Sequence, residues 1–496
     1  DLVNEQSYFG RFQKKIQGIS LGGTIKSDES ETSMFVSGGV VRGVFARSEF
    51  VGQEGNQGPY KLVGPNGELF ILIISGSERV FINGLLLQRG ENRDYVIDYN
   101  AGEVRFNSTF PITSDMRITV EYQYSDRNYT RFIGYGGGNY TSEKLDIGAY
   151  GYIESDAKNQ PLQQNLSPEQ VQVLKDAGDD TSQMVAPSAV PDSFSDNKIL
   201  YRKEFFDGEE IFVFSNNPED ELFQVRFTLI GENQGNYVIS DNTAISRIFE
   251  FVPPINGVPQ GNYEPVIRLF APTQIQVGGV NGTFRPTEKT SVGFELAASK
   301  QDLNLFSNLD NEDNTGFAAR IQAKQKIIQK EEGLQLDGYM NADYIDADFN
   351  TIERLYNIEF NRDWSLDNPQ GNQSYIETGL QLADAKLGVV NYEFQKLDFS
   401  EDFSGSRHVL NGAMRFGNLQ TFANGSILNN SSNLQEADFL RLNARSIYGF
   451  NKAWVGAKIA LEDNQQRVIA NDSLTPISQR FIAYETFVGV GDSTAV

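Results

Sequence analysis

The most constraining feature of this sequence is a two-residue alternation that recurs at least nine times between residues 289 and 490. In its first repeat, apolar residues take every second position, at Val292, Phe294, Leu296 and Ala298. The positions between them hold Gly293, Glu295, Ala297 and Ser299. Because successive side chains of a strand point to opposite faces, this pattern predicts antiparallel strands with one apolar and one polar face.

The length of the repeats favours a membrane. Each repeat, with its flanking residues, is about 8–12 residues long, and a tilted strand needs roughly 9–11 residues to cross a bilayer. Strands of soluble domains are typically shorter, about 5–6 residues. We therefore predict an all-β fold that contains an antiparallel transmembrane β-barrel portion in an outer membrane. A large soluble sheet, with its apolar face on a core, is the alternative that the alternation leaves open.

The same patterns divide the chain into three regions. Residues 1–55 hold Gly-rich strands of the barrel type, and residues 273–496 hold the long alternating strands. Residues 56–272 are predicted to form a β-sandwich-like globular domain inserted between strands of one barrel. Bacterial barrels carry their long loops outside the cell, so we expect this insert to be extracellular.

Two local features lie within the predicted insert. A short helix is predicted over residues 168–177, because Ser167 can cap its start, Gln170 completes a capping box and Gly178 ends it. Three consecutive glycines at residues 136–138 predict a flexible joint. No Gly-Lys-Ser/Thr sequence follows them, so they do not form a phosphate-binding loop.

A hairpin-rich module is predicted around residues 78–106, where Asn83 and Gly84 indicate a type I′ turn. Its pattern consists of Val80, Phe81, Asn83, Gly84, Leu86, Leu87, Gly90, Asp94, Tyr95, Ile97, Asp98, Tyr99, Gly102, Val104 and Phe106. It resembles a β-module of large bacterial surface proteins and of some phage structural proteins. The resemblance implies a fold but no activity.

Acidic, Asn-rich and Tyr-rich strands, with residues 54–60 leading into the module, make the whole chain resemble the very large outer-membrane proteins of Bacteroidota. Some relatives in that group act in protein export and gliding. The resemblance implies a cell-surface scaffold, conduit or assembly and export partner. Its expected partners are the lipid bilayer and other outer-membrane or surface proteins.

Composition excludes several classes of function. The chain has no Cys and one His, which excludes disulfides, thiolate catalysis and multi-histidine metal sites. Its net charge is −24, from 42 basic and 66 acidic residues, which argues against nucleic acid as a partner. The longest strong apolar run, residues 69–74, is far shorter than the roughly 20 residues of a membrane-spanning helix. Residue 1 is Asp and no signal peptide is present, so we interpret the chain as an internal portion of a longer precursor.

One acidic loop is a candidate Ca²⁺ site. It places four oxygen-bearing side chains at short spacing, at Asp310, Glu312, Asp313 and Asn314. Ca²⁺ prefers such oxygen ligands, although the central Gly and closing Glu of an EF-hand loop are missing. A solvated turn between strands is the alternative, and no other cofactor is predicted.

Catalysis has weaker candidates, and we predict that the protein is not an enzyme. The acidic cluster of Asp207, Glu209 and Glu210, or residues 219–221, could serve as the paired carboxylates of a glycosidase. The single His408 is expected at a rim or in solvent. The alternative function is a soluble secreted β-protein that binds glycans or surface proteins, and a carbohydrate-active enzyme is the third hypothesis.

Overall fold

The structure is a computed structural model that describes residues 2–5, 7–41, 43–65, 68, 71–108, 110–114, 116–125, 129–162, 166–242, 247–330 and 333–491. Strands hold 61% of the residues and helices 3%, and the sheets are antiparallel, which confirms the predicted all-β fold class. Among the described residues, no helix is long and apolar enough to cross a membrane. Residues 69 and 70 of the apolar run lie outside the described residues.

One antiparallel sheet of sixteen strands, the large sheet, dominates the molecule. It begins with β3 (Gln17–Lys26), β4 (Ser30–Val41), β12 (Tyr129–Ser142), β13 (Leu145–Pro161) and β24 (Gln274–Thr287). It continues with β25 (Thr290–Asp302), β26 (Thr315–Gln329), β27 (Gln335–Ile345), β28 (Gln373–Asp384), β29 (Gly388–Phe399) and β30 (Phe403–Phe416). It ends with β31 (Leu419–Ser432), β32 (Gln435–Gly449), β33 (Ala453–Val468), β34 (Ser473–Leu474) and β35 (Gln479–Val490). Each strand pairs with the next in this order, except that β34 and β35 both pair with β33.

Connections differ in length at the two ends of the large sheet. One end, called the turn end, has connections of two to five residues, at 27–29, 143–144, 288–289, 330–334, 385–387, 417–418 and 450–452. The opposite end, called the insert end, carries the longest connections, at 42–128, 162–273, 303–314 and 346–372. All the large insertions therefore leave the sheet at the same end.

The first insertion, residues 42–128, forms a module of two small sheets. One sheet has the order β5 (Gly43–Val51), β11 (Arg117–Ser125), β7 (Arg79–Ile82), β8 (Leu85–Leu86). The other has the order β6 (Tyr60–Lys61), β10 (Glu103–Phe106), β9 (Tyr95–Asp98). Their side chains share one apolar core, in which Val80, Val104 and Val120 are fully buried. The predicted turn joins β7 to β8, and Asn83 and Gly84 both have the positive φ that a type I′ turn needs.

The second insertion, residues 162–273, begins with helix α1 (Pro168–Asp176). Ser167 accepts a hydrogen bond from the Gln170 amide, and the Gln170 side chain accepts one from the Ser167 amide, so the predicted capping box and helix are confirmed. The strands that follow are β14 (Val185–Pro187), β15 (Val190–Pro191), β16 (Tyr201–Phe206), β17 (Glu209–Phe214) and β18 (Leu222–Gln224). The remaining ones are β19 (Thr228–Leu229), β20 (Tyr237–Asn242), β21 (Arg247–Phe251), β22 (Tyr263–Glu264) and β23 (Val266–Arg268). Aromatic stacking of Phe227 on Phe249, with ring centroids 4.5 Å apart, links the strands.

The boundaries of a single predicted insert over residues 56–272 differ from this arrangement. Strands β12 and β13 belong to the large sheet and separate two insertions, whereas β5 belongs to the module. The glycines at 136–138 lie inside β12, not in a joint. A Cβ on Gly137 would lie 2.8 Å from the Ala149 carbonyl oxygen, so glycine allows a close approach between strands here.

Two further segments cover part of one face of the large sheet. The N-terminal strap, residues 7–16, contains β2 (Phe12–Lys15), which pairs with β1 (Leu2–Glu5). The central strap, residues 346–372, contains the short helix α2 (Phe360–Asp363). Both straps share apolar clusters with strand side chains, through Phe9, Phe12, Phe349, Ile352, Phe360 and Trp364.

Candidate functional site

The two faces of the large sheet have opposite chemistry, and β25 displays both. The outer face carries Phe294 and Leu296, whose side chains are 43% and 52% exposed. The inner face carries Glu295, which is only 6% exposed. The predicted alternation is confirmed, but its apolar side is the exposed one. A soluble antiparallel sheet has the reverse arrangement, because its apolar face packs on a core.

This apolar outer face continues across the sheet. Exposed large apolar side chains stand on it in strand after strand, at Leu21, Val36, Ile147, Val280, Ile321, Met340, Leu380, Leu410, Ile427, Leu440, Val455 and Val488. Directly opposed residues of paired strands share a face, so Phe294 and Ile321 lie side by side. The result is a continuous apolar surface instead of scattered exposed residues.

Aromatic and charged residues mark the borders of the outer face. Exposed aromatic side chains lie near the turn end at Tyr140, Phe284, Phe416 and Tyr448, and near the insert end at Phe132, Phe317 and Tyr344. Ion pairs lie near the insert end, between Lys396 and Asp398 at 2.9 Å and between Arg480 and Asp463 at 3.4 Å. An apolar band with flanking aromatic residues is the pattern of a lipid-facing barrel surface.

The inner face carries buried charges that the N-terminal strap satisfies. The amides of Tyr8 and Phe9 donate to the Glu295 carboxylate at 2.8 and 2.9 Å, and the Tyr150 hydroxyl donates to it at 3.0 Å. Lys14 of the strap forms an ion pair with the buried Glu154 of β13. A buried carboxylate without such partners would be costly, so the strap is part of the folded inner face.

The central strap forms a second set of ion pairs, which are partly buried. Asp363 accepts hydrogen bonds from Arg441 of β32 at 2.8 Å and from Arg407 of β30 at 3.3 Å. Burial raises the pKa of Asp363 above its ordinary value, and the charge of Arg407 opposes this shift. The neighbouring Trp364 is 1% exposed and packs edge-to-face on Tyr375 of β28.

The central strap also holds the module against the large sheet. Glu121 of β11 is fully buried and forms ion pairs with Arg354 of the strap at 2.5 Å and with Arg79 of β7 at 3.2 Å. Arg79 in turn reaches Glu353 of the strap at 3.2 Å. The module is therefore joined to the strap by interlinked charges.

Towards the turn end, the inner face is polar. Asparagines oppose one another across four adjacent strands, at Asn391, Asn411, Asn424 and Asn443. The Asn424 amide donates to the Asn411 carbonyl oxygen. Such a row suits contact with water, as the sequence pattern suggested for the polar side of these strands.

The predicted Ca²⁺ residues differ in exposure. Asp310, Glu312 and Asp313 are exposed, whereas Asn314 is buried and donates to Asn311 at 2.6 Å. Among the described residues, no group of three or more His, Cys, Asp or Glu side chains could hold a metal ion. The same connection instead docks α1, because Asn304 donates to the carbonyl oxygens of Leu174 and Gly178 at 2.6 Å each.

Two of these acidic residues, Asp310 and Asp313, act on Asp179, which follows α1 in the chain. Burial raises the pKa of Asp179, and the negative charges of Asp302, Asp313 and Asp310 raise it further. Like charges near one another disfavour ionisation of the carboxyl group.

The remaining acidic candidates take part in a turn, an ion pair and a hydrogen bond. Asp207 occupies the tight turn between β16 and β17, and the exposed Glu210 forms an ion pair with Lys203 at 2.9 Å. Asp220 accepts a hydrogen bond from Ser215 at 2.6 Å, which lowers the pKa of that carboxyl. His408 is exposed, as one of the two predicted positions requires, and lies inside β30 on the outer face, with its Nδ1 atom 2.8 Å from the Tyr392 hydroxyl.

Comparison with known proteins identifies a family model in the module. A family model described as a domain of unknown function, DUF8818, matches residues 45–126. No curated protein matches the chain. The matched residues run from within β5 to the end of β11 and include the hairpin pattern recognised in the sequence.

The sequence did not reveal the ionic contacts of the straps. Glu295, on the predicted polar side of β25, was visible as an acidic residue inside a strand. Its partners lie 286 and 287 residues away in the chain, in a segment without a strong pattern of its own. An inward-facing carboxylate on an otherwise small-residue face is the one signal that could have indicated a buried partner.

Proposed function

We propose that the protein is a non-enzymatic outer-membrane β-barrel component, with the outer face of the large sheet against lipid. The single observation behind this proposal is the exposure pattern: apolar side chains face outward while carboxylates such as Glu295 are buried. In water, each large apolar side chain left exposed forgoes about 1.5–3 kcal/mol of burial free energy. A bilayer removes this cost for the whole face.

We further propose that both insertions stand at the cell surface. Barrels of the bacterial outer membrane have short periplasmic turns and longer extracellular loops. Connections of two to five residues gather at the turn end, and the insertions gather at the insert end.

A scaffold role is favoured over an open conduit by the straps. Both straps pack on the inner face near the insert end, where Asp363 and Glu295 fix them through several hydrogen bonds. The module is joined to the central strap through Glu121 and Arg354. In this proposal the sheet anchors the module and the second insertion for contact with other surface proteins.

The test uses spin labels. Because the chain has no Cys, a single introduced cysteine is the only site that the label can modify. Leu296→Cys lies on the outer face, and Leu85→Cys in the module is a matched control that is 65% exposed. In native outer membranes, we expect the label at 296 to be accessible to oxygen and the label at 85 to be accessible to a water-soluble nickel complex. Equal nickel access at both positions would contradict the proposal and favour a soluble secreted binding protein.

A further inference from the structure

The direction of the strands constrains how the large sheet can close. Its sixteen strands occupy fifteen positions, because β34 and β35 share one edge of β33 (16 − 1 = 15). Every neighbouring pair is antiparallel, so the first and fifteenth positions have the same direction. Strands β3 and β35 both run from the insert end to the turn end.

Both edges of the sheet lack a second partner within the part of the chain that the structure describes. There β3 pairs with β4 alone and β35 with β33 alone. The edge strands are ten and twelve residues long, and β3 is exposed along its whole length. In a hydrocarbon environment each unpaired backbone group costs several kcal/mol, so open edges do not occur in membrane sheets.

We infer that each edge pairs with a partner strand that runs from the turn end to the insert end and comes from outside residues 1–496. This inference rests on the proposed membrane location. Direct pairing of β3 with β35 would be parallel. An antiparallel barrel therefore needs an odd number of added strands, since such barrels have an even total.

A second copy of the chain cannot supply this strand. All copies inserted in one membrane have the same orientation, so their β3 and β35 edges run in the same direction. Segments outside the described residues are also too short, with at most five residues against the roughly 9–11 of a spanning strand. The partner strand must alternate, because Ile482, Tyr484 and Val488 place apolar side chains on the outer face of β35.

The experiment reads the direction of the partner by photo-crosslinking in native outer membranes. Phe481 lies near the insert end of β35 and Phe487 near the turn end, both on the inner face. Each is replaced separately by p-benzoylphenylalanine, and the crosslinked peptides are sequenced. We expect peptides from outside residues 1–496, with the residue captured at 487 earlier in the partner sequence than the residue captured at 481.

The opposite order would overturn the inference, as would capture of residues 17–26 or 479–490, or the absence of a peptide adduct at both positions. A third variant, Leu296→p-benzoylphenylalanine, reports on the membrane separately. If lipid adducts form at 296 but the crosslinks at 481 and 487 contradict the inference, the proposed function is still supported. An absence of lipid adducts at 296 contradicts the proposed function itself.

Discussion

The module and the large sheet are both built from alternating strands but differ in which sides of those strands are buried. Strand β11 buries its apolar and its polar side, including Glu121, whereas β25 buries its polar side and exposes its apolar side. In β11 of the module, Ile118, Val120 and Tyr122 are at most 1% exposed, as in a soluble domain. In β25 the apolar Leu296 is exposed and Glu295 is buried. The alternation therefore determines which residues share a face, whereas the surroundings of the sheet determine which face is buried.

The two regions also differ in what stabilises their interiors. The module has a continuous core of fifteen buried side chains, all of them aliphatic or aromatic. The inner face of the large sheet combines smaller apolar clusters with ion pairs to the straps. Buried ion pairs contribute little net stability when intact but are costly to break. We therefore expect that removing one charged side chain from these ion pairs lowers the free energy of unfolding strongly, even though the substitution is small.

The largest effect is expected for Asp363→Ala, which removes the acceptor shared by Arg407 and Arg441. Leaving both guanidinium groups without this carboxylate should lower the free energy of unfolding by about 3–5 kcal/mol. Urea unfolding in detergent micelles measures the change. Asp367→Ala, at an exposed position of the same strap, is the control and should stay within about 0.5 kcal/mol of wild type. Equal losses in both variants would mean that the charge cluster contributes nothing specific.

The next effect tests the outer face directly. Leu296→Arg should cost about 2–4 kcal/mol if residue 296 lies near the bilayer midplane, because a charge on a lipid-facing strand is poorly solvated. The same change at Leu85 of the module should be nearly neutral, since that side chain is 65% exposed. Unfolding from lipid vesicles measures both. Near-neutral results at both positions would place the outer face in water and remove the contrast between the two regions.

Local patterns predicted the strands, the turn at Asn83 and the capped helix α1, because each depends on neighbouring residues alone. The boundaries of the insertions were not predictable in the same way. Strand β12 contains three consecutive glycines, which resemble a joint, and the close contact of Gly137 with β13 exists only in the assembled sheet. Long-range pairing of this kind leaves no local signal.

The same distinction between local and long-range signals applies to the candidate functional surfaces. The outer face could be predicted residue by residue from β25 onwards, because it follows a period of two. The partners of Asp363 could not, since Arg407 and Arg441 lie 44 and 78 residues away on separate strands. The predicted Ca²⁺ loop is the reverse case, in which the residues are close in sequence. Among the described residues, acidic side chains such as Asp310 and Glu312 form no group of three or more that could hold a metal ion.

The smallest effect concerns two adjacent carboxylates with opposite pKa shifts at the end of α1. Burial and three neighbouring carboxylates raise the pKa of Asp179, so its ionised form destabilises the fold once the pH exceeds the ordinary value of about 4. Hydrogen bonds from Ser182 and Gln183 lower the pKa of Asp180, so its ionised form is stabilising over the same range. Asp179→Asn should therefore raise Tm at about pH 7, and Asp180→Asn should lower it.

The difference at Asp179 should fade as the pH falls below the ordinary carboxyl pKa of about 4, whereas the difference at Asp180 should disappear only at lower pH, because the pKa of Asp180 in the folded chain is lowered. Thermal unfolding of the three proteins across this range provides the measurement. Shifts of the same sign in both variants would contradict the assignment of opposite environments. A rise of the wild-type Tm with Ca²⁺ that Asp310→Asn abolishes would instead favour the metal site predicted from the sequence, because a bound cation would neutralise the carboxylates that now raise the pKa of Asp179.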